Sequence, residues 1–322
     1  MGLVLLIKGG DWFVDGSTGI AHRFHIPEIL IGATIVSIGT TLPEVMVSAT
    51  SAVAGHGEIA YGNAIGSIIC NTSLIAAITI AIRPAKIERS SMIVPIIFFF
   101  GASAVYVSVA YATGYFSRLV GFVLLGIFVV YMVLSVVSAR KELATAGQTT
   151  DETIETTESD TAAPRSSVWK DLFFLVLGAA LIAVGADLLV DNGIIIAEKL
   201  GVPETVIALT FVALGTSLPE LVTAVTSLAK GHGALSLGNI IGANLFNLVL
   251  VSGVSTVLSP FAVPATKEVA GMNASLLIDI PVMLVVMGLM TLPALIRGKL
   301  SRWQGILLLA IYAAFCVVQF AI

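Results

Sequence analysis

The sequence predicts an all-α integral membrane protein in which ten transmembrane helices form two inverted five-helix repeats, with discontinuous helices at the centre. Three observations carry this prediction. The 322 residues are 57% hydrophobic and only 11% charged, with a mean hydropathy of +1.03, far outside soluble composition. Residues 9–75 align without a gap on residues 185–251, about two in five positions being identical. The third is a motif, Gly39-Thr40-Thr41-Leu42-Pro43-Glu44, which returns as Gly215-Thr216-Ser217-Leu218-Pro219-Glu220 in the middle of another apolar segment.

Apolar segments long enough to span fall near 1–21, 29–54, 59–82, 92–112 and 119–138, and again near 168–196, 204–229, 234–258, 272–296 and 303–322. Five spans per copy is an odd number, so the second copy enters the bilayer from the opposite side, the inverted duplication of many secondary transporters. The first repeat is placed at 1–140 and the second at 168–322, with a cytoplasmic linker at 141–167. That linker holds Glu142, Asp151, Glu152, Glu155, Glu158 and Asp160, has no apolar period, and reads as disordered. Loops on one side carry twelve Lys and Arg, including Arg83, Arg140, Lys230 and Arg302, whereas the other side carries Arg118, Lys199 and Lys267. The bias puts the linker in the cytoplasm and both termini outside, in a multi-pass protein of the cell membrane. Residues 168–176 have no counterpart ahead of Met1, so the leading helix of the first copy is expected to be shorter than its partner by about nine residues, or roughly 13 Å. The apolar run at 2–7 is too short for a signal-peptide core and is expected to stay in the chain.

Composition excludes several classes. No basic surface for nucleic acid exists, and Cys70 and Cys316 both sit in apolar segments, as packing residues do. No cofactor is called for, and nothing demands more than a monomer. Hydrolase signatures of the G-x-S-x-G or H-E-x-x-H kind are absent, so the reading is a transporter and not an enzyme.

The chemistry gathers at the repeated motif. Pro43 donates no backbone hydrogen bond and its ring crowds the carbonyl of Gly39, as Pro219 crowds that of Gly215, so both spans should kink or break there. Freed carbonyls in a bilayer are tolerated where they line a cavity, and they are hard oxygen ligands suited to Na⁺ or Ca²⁺. Glu44 and Glu220 add negative charge at both breaks, and inversion brings them together near the midplane, where a cation between them relieves their repulsion. A capping box, with Thr41 or Ser217 as cap and the Glu three residues on, is compatible with that role. Asn63, Ser67 and Asn71 form a stripe at i, i+4 and i+8, matched by Asn239 and Asn247 with Ala243 between them. Ser67, Asn71 and Asn247 read as ligands; Asn63 and Asn239 read equally as ligands or as interhelical glue. Gly62/Gly66 and Gly238/Gly242 are GxxxG pairs for close helix approach. Asp11 and Asp187 read as interhelical hydrogen-bonding groups, and His56 and His232, each between glycines, as turn residues.

The paired GTTLPE and GTSLPE segments, each followed by a GN-x-x-G helix, resemble the two alpha-repeats of the sodium/calcium exchanger family, prokaryotic type, within the cation/calcium antiporter superfamily. Gly10-Asp11-Trp12-Phe13-Val14 and Arg302-Trp303-Gln304-Gly305-Ile306 also resemble prokaryotic members. The alpha-motifs are 32–75 and 208–251. The resemblance implies an antiporter with the lipid bilayer as its setting and Ca²⁺ and Na⁺ as its partners, extruding Ca²⁺ by alternating access as the first and sixth helices slide over the rest. It implies a calcium site of Glu44, Glu220 and the backbone oxygens of Thr40 and Thr216. Sodium would be shared among Glu44, Glu220, Thr41, Ser217, Ser67, Asn71, Asn247 and the backbone oxygens of Ser37 and Ala213. Two departures stand out: relatives often carry Asp at the position of Asn247 and Ser at that of Ala243. A H⁺/Ca²⁺ antiporter using the same glutamates is the alternative reading, and a passive calcium channel a weaker one.

Overall fold

A computed structural model describes residues 1–84, 89–149, 168–199, 213–265, 268–269 and 271–321. The described residues are helical almost throughout. The helices are α1 (Gly2–Arg23), α2 (Glu28–Val53), α3 (Gly57–Ile82), α4 (Arg89–Ala112), α5 (Arg118–Thr149) and α6 (Val168–Lys199), followed by α7 (Ala213–Thr216), α8 (Leu218–Lys230), α9 (Gly233–Leu258), α10 (Ser275–Arg297) and α11 (Arg302–Ala321). Two-residue strands β1 (Tyr115–Phe116) and β2 (Phe261–Ala262) pair antiparallel, as do β3 (Glu268–Val269) and β4 (Met272–Asn273).

Among the described residues, eight helical segments are long and apolar enough to cross a membrane. Two predicted spans are missing from that set for different reasons. α1 is a helix of the right length but carries Lys8, Asp11 and Asp15, whereas only 213–229 of the span predicted at 204–229 is described. As predicted, α1 is shorter than α6, 22 residues against 32.

Burial sorts the helices into layers. α9 is central, 83% of its apolar window being buried, while α11 buries 11% and turns its Trp303, Ile306 and Val317 outward. Apolar side chains exposed on α5, such as Phe122, Val129 and Val133, are a lipid-facing surface, since a bilayer removes the penalty that water would impose.

Glycines decide which helices touch backbone to backbone. α1 and α6 pack along Gly9, Gly16, Gly178 and Gly185; a Cβ on Gly178 would stand 2.4 Å from the amide nitrogen of Phe13. Gly238 and Gly242 of α9 admit α2, a Cβ on Gly242 reaching to 2.6 Å from the Cα of Ala33. Gly62 and Gly66 meet nothing within 4 Å; 205–212, the counterpart of the α2 stretch facing α9, lies outside the described residues.

Two stretches are more continuously helical than expected. α5 continues to Thr149, nine residues into the stretch predicted as linker at 141–167, through Lys141-Glu142-Leu143-Ala144, good helix formers; residues 150–167 lie outside the described ones. Helix also continues through Pro43, so of the kink or break expected there a break does not occur. The second copy does break, between α7 and α8, where Ser217 takes φ −91° and ψ 5°. In the first copy, irregularity sits upstream as a π-helical turn, Gly32–Val36.

Candidate functional site

Both glutamates are wholly buried. Glu44 and Glu220 have 0% exposure, and none of their four carboxylate oxygens finds a hydrogen-bond donor in acceptable geometry among the described residues. They are near enough to repel each other, and Thr40 and Thr41 are the hydroxyl side chains that face Glu220. A buried carboxylate without donors is among the costliest arrangements a protein can hold, unless a cation completes it.

The neutral donors predicted around them are buried in the same way. Thr41, Asn71, Asn247 and Ser37 have 0% exposure, Thr40 and Ser217 2%, and Ser67 4%. Thr216 is half-buried, and Ala213 opens α7. The hydroxyls of Thr41 and Ser217 and both amide groups of Asn71 and Asn247 lack partners among the described residues. Such a set of oxygen groups matches what a hard cation requires. Asn71 and Asn247 occupy equivalent places, each opening a π-helical turn, Asn71–Ala76 in α3 and Asn247–Val251 in α9. Single-turn π segments widen a helix and are frequent at functional sites. Ser252 Oγ donates to the Asn247 carbonyl five residues back (3.0 Å), and Ser37 Oγ does so to Gly32 (2.7 Å).

The two motifs hold each other across the copies. Thr40 Oγ1 donates to Asn239 Oδ1 (3.1 Å) and Thr216 Oγ1 to Asn63 Oδ1 (3.3 Å). Thr40 is offset from Thr216, and Asn63 from Asn239, by the same 176 residues, so these are one contact seen twice. Asn63 and Asn239, left open between ligand and glue by the sequence, therefore use their carbonyls as ties. A cleft lined by Phe13, Gly39, Thr40, Pro43, Ala183 and Pro219 leads between the α1–α6 pair and both motif prolines.

At one end of the bundle, Lys230 of α8 reaches Asp15 Oδ1 (2.7 Å) and Asp11 Oδ1 (3.5 Å) on α1, the interhelical role expected for Asp11. Asp187, predicted to act likewise, is exposed. Arg23 pairs with Asp171 (3.3 Å), joining α1 to α6. His56 and His232 are indeed turn residues: each follows a glycine at φ +90°, Gly55 or Gly231, and caps the next helix. His232 Nδ1 also meets Glu28 Oε1 at 2.8 Å.

No motif or spacing pointed to a second buried polar cluster, in which Asn244 Nδ2 donates to Thr72 Oγ1 (2.7 Å) and to the Met287 sulfur (3.1 Å). Asn244 aligns with Ile68 and Thr72 with Leu248, so a search for polar residues matched between copies passes over both.

The sequence profile for "Sodium/calcium exchanger protein" matches residues 1–137 and 170–321. The chain belongs to the sodium/calcium exchanger family. It is thus a multi-pass membrane protein whose class of activity is cation/Ca²⁺ antiport. Among similar proteins, the sodium/calcium exchanger MaX1 of Methanosarcina acetivorans is 31% identical over 348 residues, covering 100% of this chain and 97% of its own. The inner membrane protein YrbG of Escherichia coli K12 is 35% identical over 263 residues, or 81% of this chain and 78% of its own. A solved structure of the sodium-calcium exchanger NCX_Mj, soaked with 2.5 mM Na⁺ and 10 mM Sr²⁺, superposes with a TM-score of 0.78 at 32% identity, covering 98% of this family member and 96% of that chain.

Proposed function

We propose that this exchanger moves Na⁺ in and Ca²⁺ out of the cell by alternating access, one Ca²⁺ and several Na⁺ competing for a single site built on Glu44 and Glu220. The observation that carries this reading is the pair of fully buried carboxylates, near enough to repel and without a Lys or Arg partner among the described residues. Calcium between them neutralises both at once, with the backbone oxygens of Thr40 and Thr216 as further ligands. Sodium uses the same glutamates together with Thr41, Ser217, Ser67, Asn71, Asn247 and the backbone oxygens of Ser37 and Ala213. Because the sets overlap, occupancy by one ion expels the other, which is the coupling that antiport needs.

The crossed Thr–Asn contacts support two copies related by a two-fold axis, and five spans per copy supports that axis lying in the membrane plane. The termini then lie outside and the linker inside. The glycine seam between α1 and α6 supports their moving as one body past the motif prolines, opening the cleft to one side at a time.

The test is calcium-45 uptake into proteoliposomes under an outward sodium gradient, an outward proton gradient, or neither. Sodium-driven uptake is expected. Uptake driven by protons alone would replace sodium by a proton at the glutamates, and uptake with neither gradient would make the protein a channel.

A further inference from the structure

We propose that Asn63 and Asn239 are positioning residues of the cation site, each holding the opposite copy's threonine so that the two glutamate motifs stay in register, and that the two ties are anchored unequally. This rests on the reading that Glu44 and Glu220 bind the transported cation.

The geometry supplies the argument. Asn63 uses its whole amide: Oδ1 accepts from Thr216 Oγ1 (3.3 Å), while Nδ2 donates to Ser48 Oγ (2.8 Å) and to the backbone carbonyl of Glu44 (3.3 Å). One side chain thus touches the backbone of the first glutamate and the residue four before the second. Both ends of the amide being engaged also fixes its orientation. Asn239, wholly buried, makes the reciprocal tie to Thr40 Oγ1 at 3.1 Å, but its Nδ2 has no partner among the described residues. The reason is legible in the duplication. The position equivalent to Ser48 is Ala224, so the hydroxyl that would take the amide proton is missing. Asn239 is steadied instead through its backbone carbonyl, which Ser37 Oγ approaches at 2.9 Å while sharing its single proton with the nearer Gly32 carbonyl at 2.7 Å; Ser37 in turn aligns with Ala213, which has no hydroxyl to offer Asn63. Each tie therefore lacks the brace that the other has. A side-chain brace stops the amide from rotating, whereas a backbone brace does not, so the Asn239–Thr40 tie is the one that can let go.

Calcium binding to the purified full-length chain, measured by calorimetry, tests this. Thr216→Val and Thr40→Val keep shape and backbone oxygen but remove the donor, and are expected to weaken binding about tenfold, the cost of one buried hydrogen bond. Thr216→Ser and Thr40→Ser keep the donor and are expected to stay within about twofold of the unaltered chain. Ser48→Ala frees the Asn63 amide and is expected to weaken binding several-fold, with the thermal midpoint unmoved. Valine variants that bind as the unaltered chain does, or serine variants as weak as the valine ones, would overturn the ties. Unchanged binding in Ser48→Ala, or weaker binding matched by a fallen thermal midpoint, would overturn the unequal anchoring. If the unaltered chain binds no calcium, the transport reading fails and the proposal with it; calcium binding with indifferent valine variants sinks the proposal alone.

Discussion

At the scale of single residues, Glu44 and Glu220 are the groups whose loss should be felt most. Glu44→Gln or Glu220→Gln removes the charge that a divalent ion needs while keeping volume, and either is expected to abolish calcium-45 exchange in proteoliposomes; near-normal exchange in one of them would mean that the cation sits elsewhere. Ala243 offers a milder test. It is wholly buried and aligns with Ser67, so Ala243→Ser returns a hydroxyl to the stripe holding Asn239 and Asn247. The expected outcome is a lower sodium concentration for half-maximal exchange, read from sodium titrations at fixed calcium, with no change in the calcium dependence. Part of this layer was legible from the duplication, because the matched pairs Glu44/Glu220 and Asn71/Asn247 are all wholly buried. Asn244, Thr72 and Met287 were not, since a cluster that exists once leaves no echo in the other copy.

At the scale of elements, the approach of α9 to the π-helical turn of α2 depends on two missing side chains. A methyl on Gly242 would lie 2.3 Å from Ser37 Oγ and 2.6 Å from the Cα of Ala33, so Gly242→Ala must push the backbones apart. It should cost about 1–3 kcal/mol of stability and weaken calcium binding as well, because Ser37 braces Asn239; a variant with unaltered thermal midpoint and affinity would contradict this packing. The ion pair between α8 and α1 is a different kind of contact. Asp15 is more than half exposed, so the Lys230 pair is worth at most about 1 kcal/mol to stability. Lys230→Asp should nonetheless slow exchange by setting like charges between the α1–α6 pair and the core, and Lys230→Asp with Asp15→Lys should restore it; a rate indifferent to both would leave the pair ornamental. Helix positions followed from hydropathy, but the π-helical turns did not, because one extra residue in a turn changes no property that composition or period records. That the helix runs unbroken through Pro43 was not legible either, for a related reason. Proline's local penalty is fixed, while the packing that opposes it depends on neighbours from the other copy.

At the scale of the whole molecule, the hydrophobic spans, the glutamate pair and the repeat could be read from the chain, whereas which copy braces which had to await coordinates. The crossed ties bear on how the protein is made. Residue 40 leaves the ribosome 199 residues ahead of Asn239, and residue 63 leaves it 153 residues ahead of Thr216, intervals of roughly 8–40 s at bacterial-like rates of about 5–20 residues per second. Throughout those intervals the first copy carries a carboxylate, two hydroxyls and an amide with nothing opposite them. Its early helices must therefore wait, unmatched, in the bilayer or beside the insertion machinery until the second copy arrives to close the polar centre.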